Sequence, residues 1–179
     1  MKKRSIIVGF VAMVVIMGLA CSSTDKSLYG EWTLVPEKST DLAPWKYRHL
    51  QVEIRQDGEG LTLLQKWLQR KKVAFVDSVT FVPGGPAVQV PVDTYVWPEN
   101  WFMGVLAKKS SMKKISGAWK KQDQTLVVTR EQTVLISQGE TTITTTREYA
   151  LDWRGKTLTI KEKRSSRPTL VKYVLKRIE

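Results

Sequence analysis

Leu50, Val52 and Ile54 are apolar, and Gln51, Glu53 and Arg55 between them are polar. Side chains repeat every second residue in a β-strand, so this segment predicts a strand with one dry face and one wet face. Asp57-Gly58 follows as a turn signal, and Leu61 and Leu63 resume the alternation on the return. The device recurs twice. Ala118 to Lys121 leads through Gln122-Asp123-Gln124 to Leu126 and Val128, and Tyr149 and Leu151 lead through Asp152-Trp153-Arg154-Gly155 to Leu158 and Ile160. Unequal spacing between these fragments excludes a solenoid repeat. A helix is equally unsuited to Thr141-Thr142-Ile143-Thr144-Thr145-Thr146, where branched side chains would lose rotamer freedom. Ten strands are predicted, at about 30–35, 47–56, 60–69, 72–82, 86–93, 114–121, 124–136, 140–151, 156–163 and 169–177. Sequential hairpins make an antiparallel meander, and closing it into an up-and-down β-barrel satisfies the sheet edges. The expected class is all-β.

A different segment precedes this body. Lys2, Lys3 and Arg4 lead an apolar run from Ile6 to Ala20, which ends at Cys21, the one cysteine of the chain. That is the anatomy of a secretory leader, a signal-peptide helix too short to cross a bilayer, which takes ~18 apolar residues or more. Met17-Gly18-Leu19-Ala20-Cys21 resembles the box that marks bacterial lipoproteins, with its leucine two positions before the cysteine instead of three. Gly18 and Ala20 also suit ordinary secretory cleavage, which leaves a soluble exported protein with one unpaired thiol as the alternative. Such a thiol is a reactive liability unless it has a use. Its place at the head of the mature chain favours acylation. The resemblance implies a Cys21 carrying palmitate-like chains, an outer-membrane address and a domain facing the periplasm. The expected organisation is a leader at 1–20, a polar tether at 21–27 and a barrel domain at 28–179. Losing the leader removes three basic residues and no acidic one, so the net charge falls from +12 to +9. That charge attracts anionic envelope components such as phospholipid headgroups and lipopolysaccharide phosphates. Export argues against nucleic acid as a partner.

Leu28-Tyr29-Gly30-Glu31-Trp32-Thr33-Leu34 resembles the Gly-x-Trp signature on the first strand of lipocalins. Together with Pro36-Glu37-Lys38-Ser39 and the hairpin from Asp152 to Ile160, it resembles more closely a group of bacterial lipocalin-like envelope proteins. The resemblance implies structural roles for Gly30 and Trp32, with the indole plugging the closed end of the barrel. It further implies a basic residue of the last strand lying across that indole, and Arg177 is the candidate.

Chemistry is concentrated in Tyr95-Val96-Trp97-Pro98-Glu99-Asn100-Trp101-Phe102-Met103-Gly104-Val105-Leu106, followed by Lys108, Lys109, Lys113 and Lys114. Three readings are open: a loop completing the core, a lid over the barrel mouth with lysines meeting an acidic head, or a contact with the lipid–water interface. Trp67, Phe75 and Phe81 fall on predicted strands and either line a cavity or fill the barrel. Arg70-Lys71-Lys72 reads as a solvated hairpin tip, as do Lys161, Lys163, Arg164 and Arg167 around Ser165-Ser166. Enzyme signatures are weak. His49 is the one histidine, no Gly-x-Ser-x-Gly elbow is present, and no metal set or cofactor motif is recognisable. Asp77 and Asp93 could share acid–base work only by facing one cavity. The expected function is non-covalent binding of a small apolar or amphipathic ligand. Its candidate contacts are Trp67, Phe75, Tyr95, Trp97, Trp101, Phe102, Lys108 and Lys109. The competing class is a structural or interaction lipoprotein with a filled barrel and a basic surface. A hydrolase is the third class.

Overall fold

The structure, a computed structural model, describes residues 27–40, 49–97, 105–120 and 125–178. Cys21, the leader, Trp101 and Phe102 lie outside the described residues. Eleven strands follow one another: β1 (Gly30–Leu34), β2 (His49–Asp57), β3 (Gly60–Gln69), β4 (Lys72–Phe81), β5 (Val88–Pro91), β6 (Leu106–Ala107), β7 (Met112–Lys120), β8 (Thr125–Ile136), β9 (Gly139–Leu151), β10 (Thr157–Arg164) and β11 (Arg167–Arg177). They form one antiparallel sheet in the order β4-β3-β2-β1-β11-β10-β9-β8-β7-β5, with β6 added alongside β8. The first strand therefore pairs with the last, Trp32 opposite Arg177 and Leu34 opposite Leu175. This is an all-β, up-and-down, nearly closed barrel.

The expected meander breaks at one place. β5 does not return along β4 but pairs with β7, Val88 opposite Ile115 and Pro91 opposite Met112. Pro83-Gly84-Gly85-Pro86 is responsible. Gly84 adopts a φ of 83°, and its N–H donates to the Gly117 carbonyl on β7 at 2.7 Å, which carries the chain off β4. β5 is then only four residues long and ends in a proline that has no N–H to give a ladder. The strand missed in the sequence, β6, is a two-residue bridge to Leu135 and Val134 of β8, too short to show an alternation.

β4 and β7 still touch where the barrel is drawn together. A Cβ on Gly117 would lie 2.1 Å from Cε2 of the buried Phe81 ring, so only glycine lets the strands come this close. Gly117→Ala should therefore cost about 1–3 kcal/mol through overpacking, read as a lower urea midpoint at unchanged slope.

The inward-facing residues change character along the barrel. Towards one end lie Trp32, Ile54, Leu61, Phe81, Leu126, Leu158 and Leu175, all buried in one apolar cluster. Nearer the other end the inward positions become Gln65, Asp77, Lys113, Gln132, Arg147 and Glu162, all buried too. Val92, Trp97, Ala107, Val134 and Ile143 form a smaller apolar cluster beyond them. A polar belt thus lies between two greasy layers.

Candidate functional site

Between β4 and β5 the seam holds a cleft of about 250 Å³. Phe75, Val90, Val92, Val96 and Trp97 form its apolar side, and Asp77, Asp93, Lys113, Arg130 and Gln132 its charged side. At about 30 Å³ for each water-sized group, it has room for roughly eight such groups. Asp77 on β4 accepts from Lys113 Nζ on β7 and from Arg130 Nη2 on β8, two strands that share no ladder with β4. The three side chains clasp the seam where backbone hydrogen bonds leave off. Two cations against one carboxylate give the clasp a net charge of +1. Burial pushes the Asp77 carboxyl up, but Arg130 and Lys113 outweigh it and hold it below its ordinary value.

A second cluster lies deeper in the barrel. Glu162 has no exposed surface. It accepts from Arg147 Nε at 2.8 Å, from Arg164 Nε at 2.7 Å and from the Tyr173 hydroxyl at 3.3 Å. Arg147 also donates to Gln65 Oε1 at 2.6 Å, and Gln65 Nε2 donates to the Tyr149 hydroxyl at 2.9 Å. Burial would raise the Glu162 carboxyl, yet the two guanidiniums lower it below its usual value. Tyr149 moves the other way, since burial keeps its phenol neutral beyond the ordinary range despite Arg147. Arg164 connects cluster and cleft, its guanidinium lying 5.3 Å from the ring centroid of Trp97.

Alternation explains these positions. Leu126, Val128, Arg130, Gln132 and Val134 are in one phase on β8, as are Ile143, Thr145, Arg147 and Tyr149 on β9 and Leu158, Ile160, Glu162 and Arg164 on β10. Arg147 stands directly opposite Glu162 across β9 and β10. The expected solvated tip therefore needs correcting at Arg164, which is inward, buried and paired because it keeps the phase of Leu158. The Arg70-Lys71 tip is exposed, with both residues at positive φ in a tight turn.

The residues singled out for ligand contact divide. Phe75 and Trp97 line the cleft. Tyr95 is 53 % exposed beside it, with Lys109 Nζ 5.9 Å from its ring centroid. Lys108 turns to Glu140 at 2.6 Å, and the cleft takes its cations from Lys113 and Arg130 instead. Trp67 is in the core, edge-on to Tyr173 with centroids 6.1 Å apart. Among the structural positions, Arg177 lies 4.4 Å over the Trp32 ring and donates to the carbonyls of Tyr29 and Ser27 at 2.8 and 2.7 Å. A Cβ on Gly30 would sit 2.6 Å from that guanidinium. Asp77 and Asp93 do line one cleft, but Asp77 is held ionised by its cations and has no proton to donate near neutrality. His49 meets the Thr33 hydroxyl at 3.1 Å on the neighbouring strand. Among the described residues, no three metal-ligating side chains come together.

The two buried carboxylates make acid stability predictable. Both bind protons more weakly in the folded chain than in the unfolded one, so acid favours unfolding. Their contribution is complete above the unfolded values near ~4 and is lost as pH falls through the lower folded ones. Unfolding free energies measured across pH should be level from these groups above about pH 5 and should decline below about pH 4.

No family model matches this chain, and no curated protein sequence matches it either. Solved structures do resemble it. A REP1-NXSQ fatty acid transporter superposes at a TM-score of 0.50 with 11% identity, over 85% of this chain and 96% of that one. A secretory abundant heat soluble protein from Ramazzottius varieornatus gives 0.52 and 11%, over 84% and 95%. Secretory abundant heat soluble protein 4 from the same organism gives 0.50 and 12%, over 87% and 98%. At such identities the likeness is one of fold: this chain shares their antiparallel up-and-down barrel.

Proposed function

We propose that this chain is a lipid-anchored protein of the bacterial envelope whose barrel binds one small amphipathic molecule non-covalently. The seam cleft carries the reading. Its apolar side, from Phe75 to Trp97, offers burial to a short hydrocarbon, and its charged side, where Lys113 and Arg130 face Asp77 and Asp93, offers hydrogen bonds to a polar head. Among the described residues the rest of the interior is largely filled, with fully buried Trp32, Trp67, Tyr149 and Tyr173 and a void of only about 10 Å³ beside Ile115, Arg147 and Tyr149. A guest therefore occupies the seam, and a longer one leaves its tail outside. The fatty acid transporter that shares the fold agrees with this class of ligand; the cleft supplies the warrant. The anchor is Cys21, which would hold the barrel on the periplasmic side of the outer membrane. No covalent step is assigned, and neither is a cofactor.

Native mass spectrometry of the protein extracted from its own membrane tests both halves. The expected spectrum carries the mass of acyl chains on Cys21 together with a small guest. Val90→Trp, which fills the cleft, should remove the guest and leave the acyl chains. Bare, guest-free protein from every preparation would end the carrier reading.

The second reading is a structural or interaction lipoprotein. It is favoured by the filled interior and by Val73 and Val76, 53 % and 49 % exposed on β4. Under that reading Val90→Trp changes nothing, whereas charged residues at Val73 and Val76 abolish partner capture.

A further inference from the structure

Trp153 is 74 % exposed, the largest apolar side chain left to solvent among the described residues. Its turn is firmly built. Asp152 Oδ1 accepts the N–H groups of Lys156 at 2.9 Å and Thr157 at 3.1 Å, the Gly155 N–H donates to the Asp152 carbonyl at 3.0 Å, and Gly155 takes a φ of 71°. The turn would form as well with a polar residue at its tip. Instead it holds an indole outward, with the Arg154 guanidinium 4.5 Å from the ring centroid.

The surroundings repeat that chemistry. Lys156 is exposed, β11 brings exposed Lys176 opposite Thr157, and Ile178 beyond it is 39 % exposed. Of the nearby carboxylates, Asp152 is engaged by the turn's own N–H groups, while Glu31, whose backbone carbonyl accepts the Ile178 N–H, is exposed and sets one negative charge beside the cations. One aromatic, one aliphatic and three cations share this face, in excess over the single Glu31 carboxylate. Amphipathic rings flanked by Arg and Lys suit the water–lipid boundary. Position matters as much as composition. Arg177 fastens the Ser27 carbonyl to this same end, and Cys21 lies six residues upstream. Six extended residues reach about 20 Å at most. The cleft residues Val92 to Trp97 and Lys113 belong to the opposite end, next to the 69–72 and 164–167 turns.

We propose that this end is a membrane-docking face: Trp153 and Ile178 enter the headgroup layer of a bilayer containing anionic lipid, while Arg154, Lys156 and Lys176 meet its phosphates. The proposal rests on the anchor reading for its reach, and adds an orientation. The cleft faces away from the bilayer. Asp57 and Glu59 are exposed on the β2–β3 turn at the same end, so the barrel leans toward its β9–β11 side.

The test uses the chain from Cys21 onward, both acylated and as Cys21→Ser, with vesicles of phosphatidylcholine alone or mixed with phosphatidylglycerol. Brominated lipids should quench Trp153 emission in the acylated protein, and Trp153→Phe should abolish most of that quenching at an unchanged unfolding midpoint. The Cys21→Ser chain should bind only the anionic vesicles, and Arg154→Gln or Lys156→Gln should each weaken binding about fivefold. If the native protein carries no acyl chains but these results hold, the anchor reading fails and the docking face stands. Quenching unaffected by Trp153→Phe, indifference to phosphatidylglycerol, or retention by a membrane protein instead of pure lipid each overturns the docking face.

Discussion

Replacing Trp32 with alanine lowers the unfolding free energy by about 3–5 kcal/mol, the range for deleting a large buried aromatic. The indole has no exposed surface, donates through Nε1 to the Leu28 carbonyl at 3.0 Å and lies under Arg177. The substitution leaves a void at the closed end that β-strands cannot collapse to fill, and it takes the stacking surface from Arg177. Since Arg177 also fastens Ser27 and Tyr29, the first residues of the domain should loosen with it. Chemical denaturation measures the loss, and hydrogen exchange at Leu28–Thr33 should rise in parallel. Trp153→Ala serves as the control, because an exposed side chain should leave stability within about 0.5 kcal/mol. A Trp32 variant losing under about 1 kcal/mol would remove the indole from its place as the plug.

Glu162→Gln should cost a similar amount, about 3–5 kcal/mol, for an unrelated reason. The side chain keeps its size, so packing changes little. What disappears is the negative charge shared by two buried guanidiniums, those of Arg147 and Arg164. Their desolvation is then no longer offset. Substituting Arg147, Glu162 and Arg164 together with apolar residues of similar volume should recover most of the loss, since buried ion pairs add little over a well-packed apolar cluster. A single variant as stable as the wild type would mean that water reaches these arginines. A triple variant as unstable as the single one would show that the belt sets the barrel's shape.

The strands were legible because alternation is local. Leu50–Val52–Ile54 declares its face within five residues, and the observed β2 and β3 match their expected bounds within about two residues. The Gly30, Trp32 and Arg177 cluster was approachable through a short motif, Gly30-Glu31-Trp32, at the start of the first strand. The cleft was not legible. It arises where β4 and β5 fail to pair, and that failure depends on a Gly84 hydrogen bond to Gly117, thirty-three positions away in the chain. The aromatic segment drew attention to Trp97, yet the charged wall came from Lys113 and Arg130, which look like ordinary strand cations until their phase is counted.

Sequence alone determined that this chain is all β, that its hairpins run antiparallel and which faces of its plainest strands, such as Leu50–Val52–Ile54, turn inward, because each of these follows from period two and from turn chemistry within a few residues. Tertiary structure alone decided that the inward charges meet as Asp77–Lys113–Arg130 and Arg147–Glu162–Arg164, and that the seam stays open beside the first of them. Charge pairing inside a barrel depends on shear and closure, which place side chains from distant strands at one height, and no window of neighbouring residues carries that information.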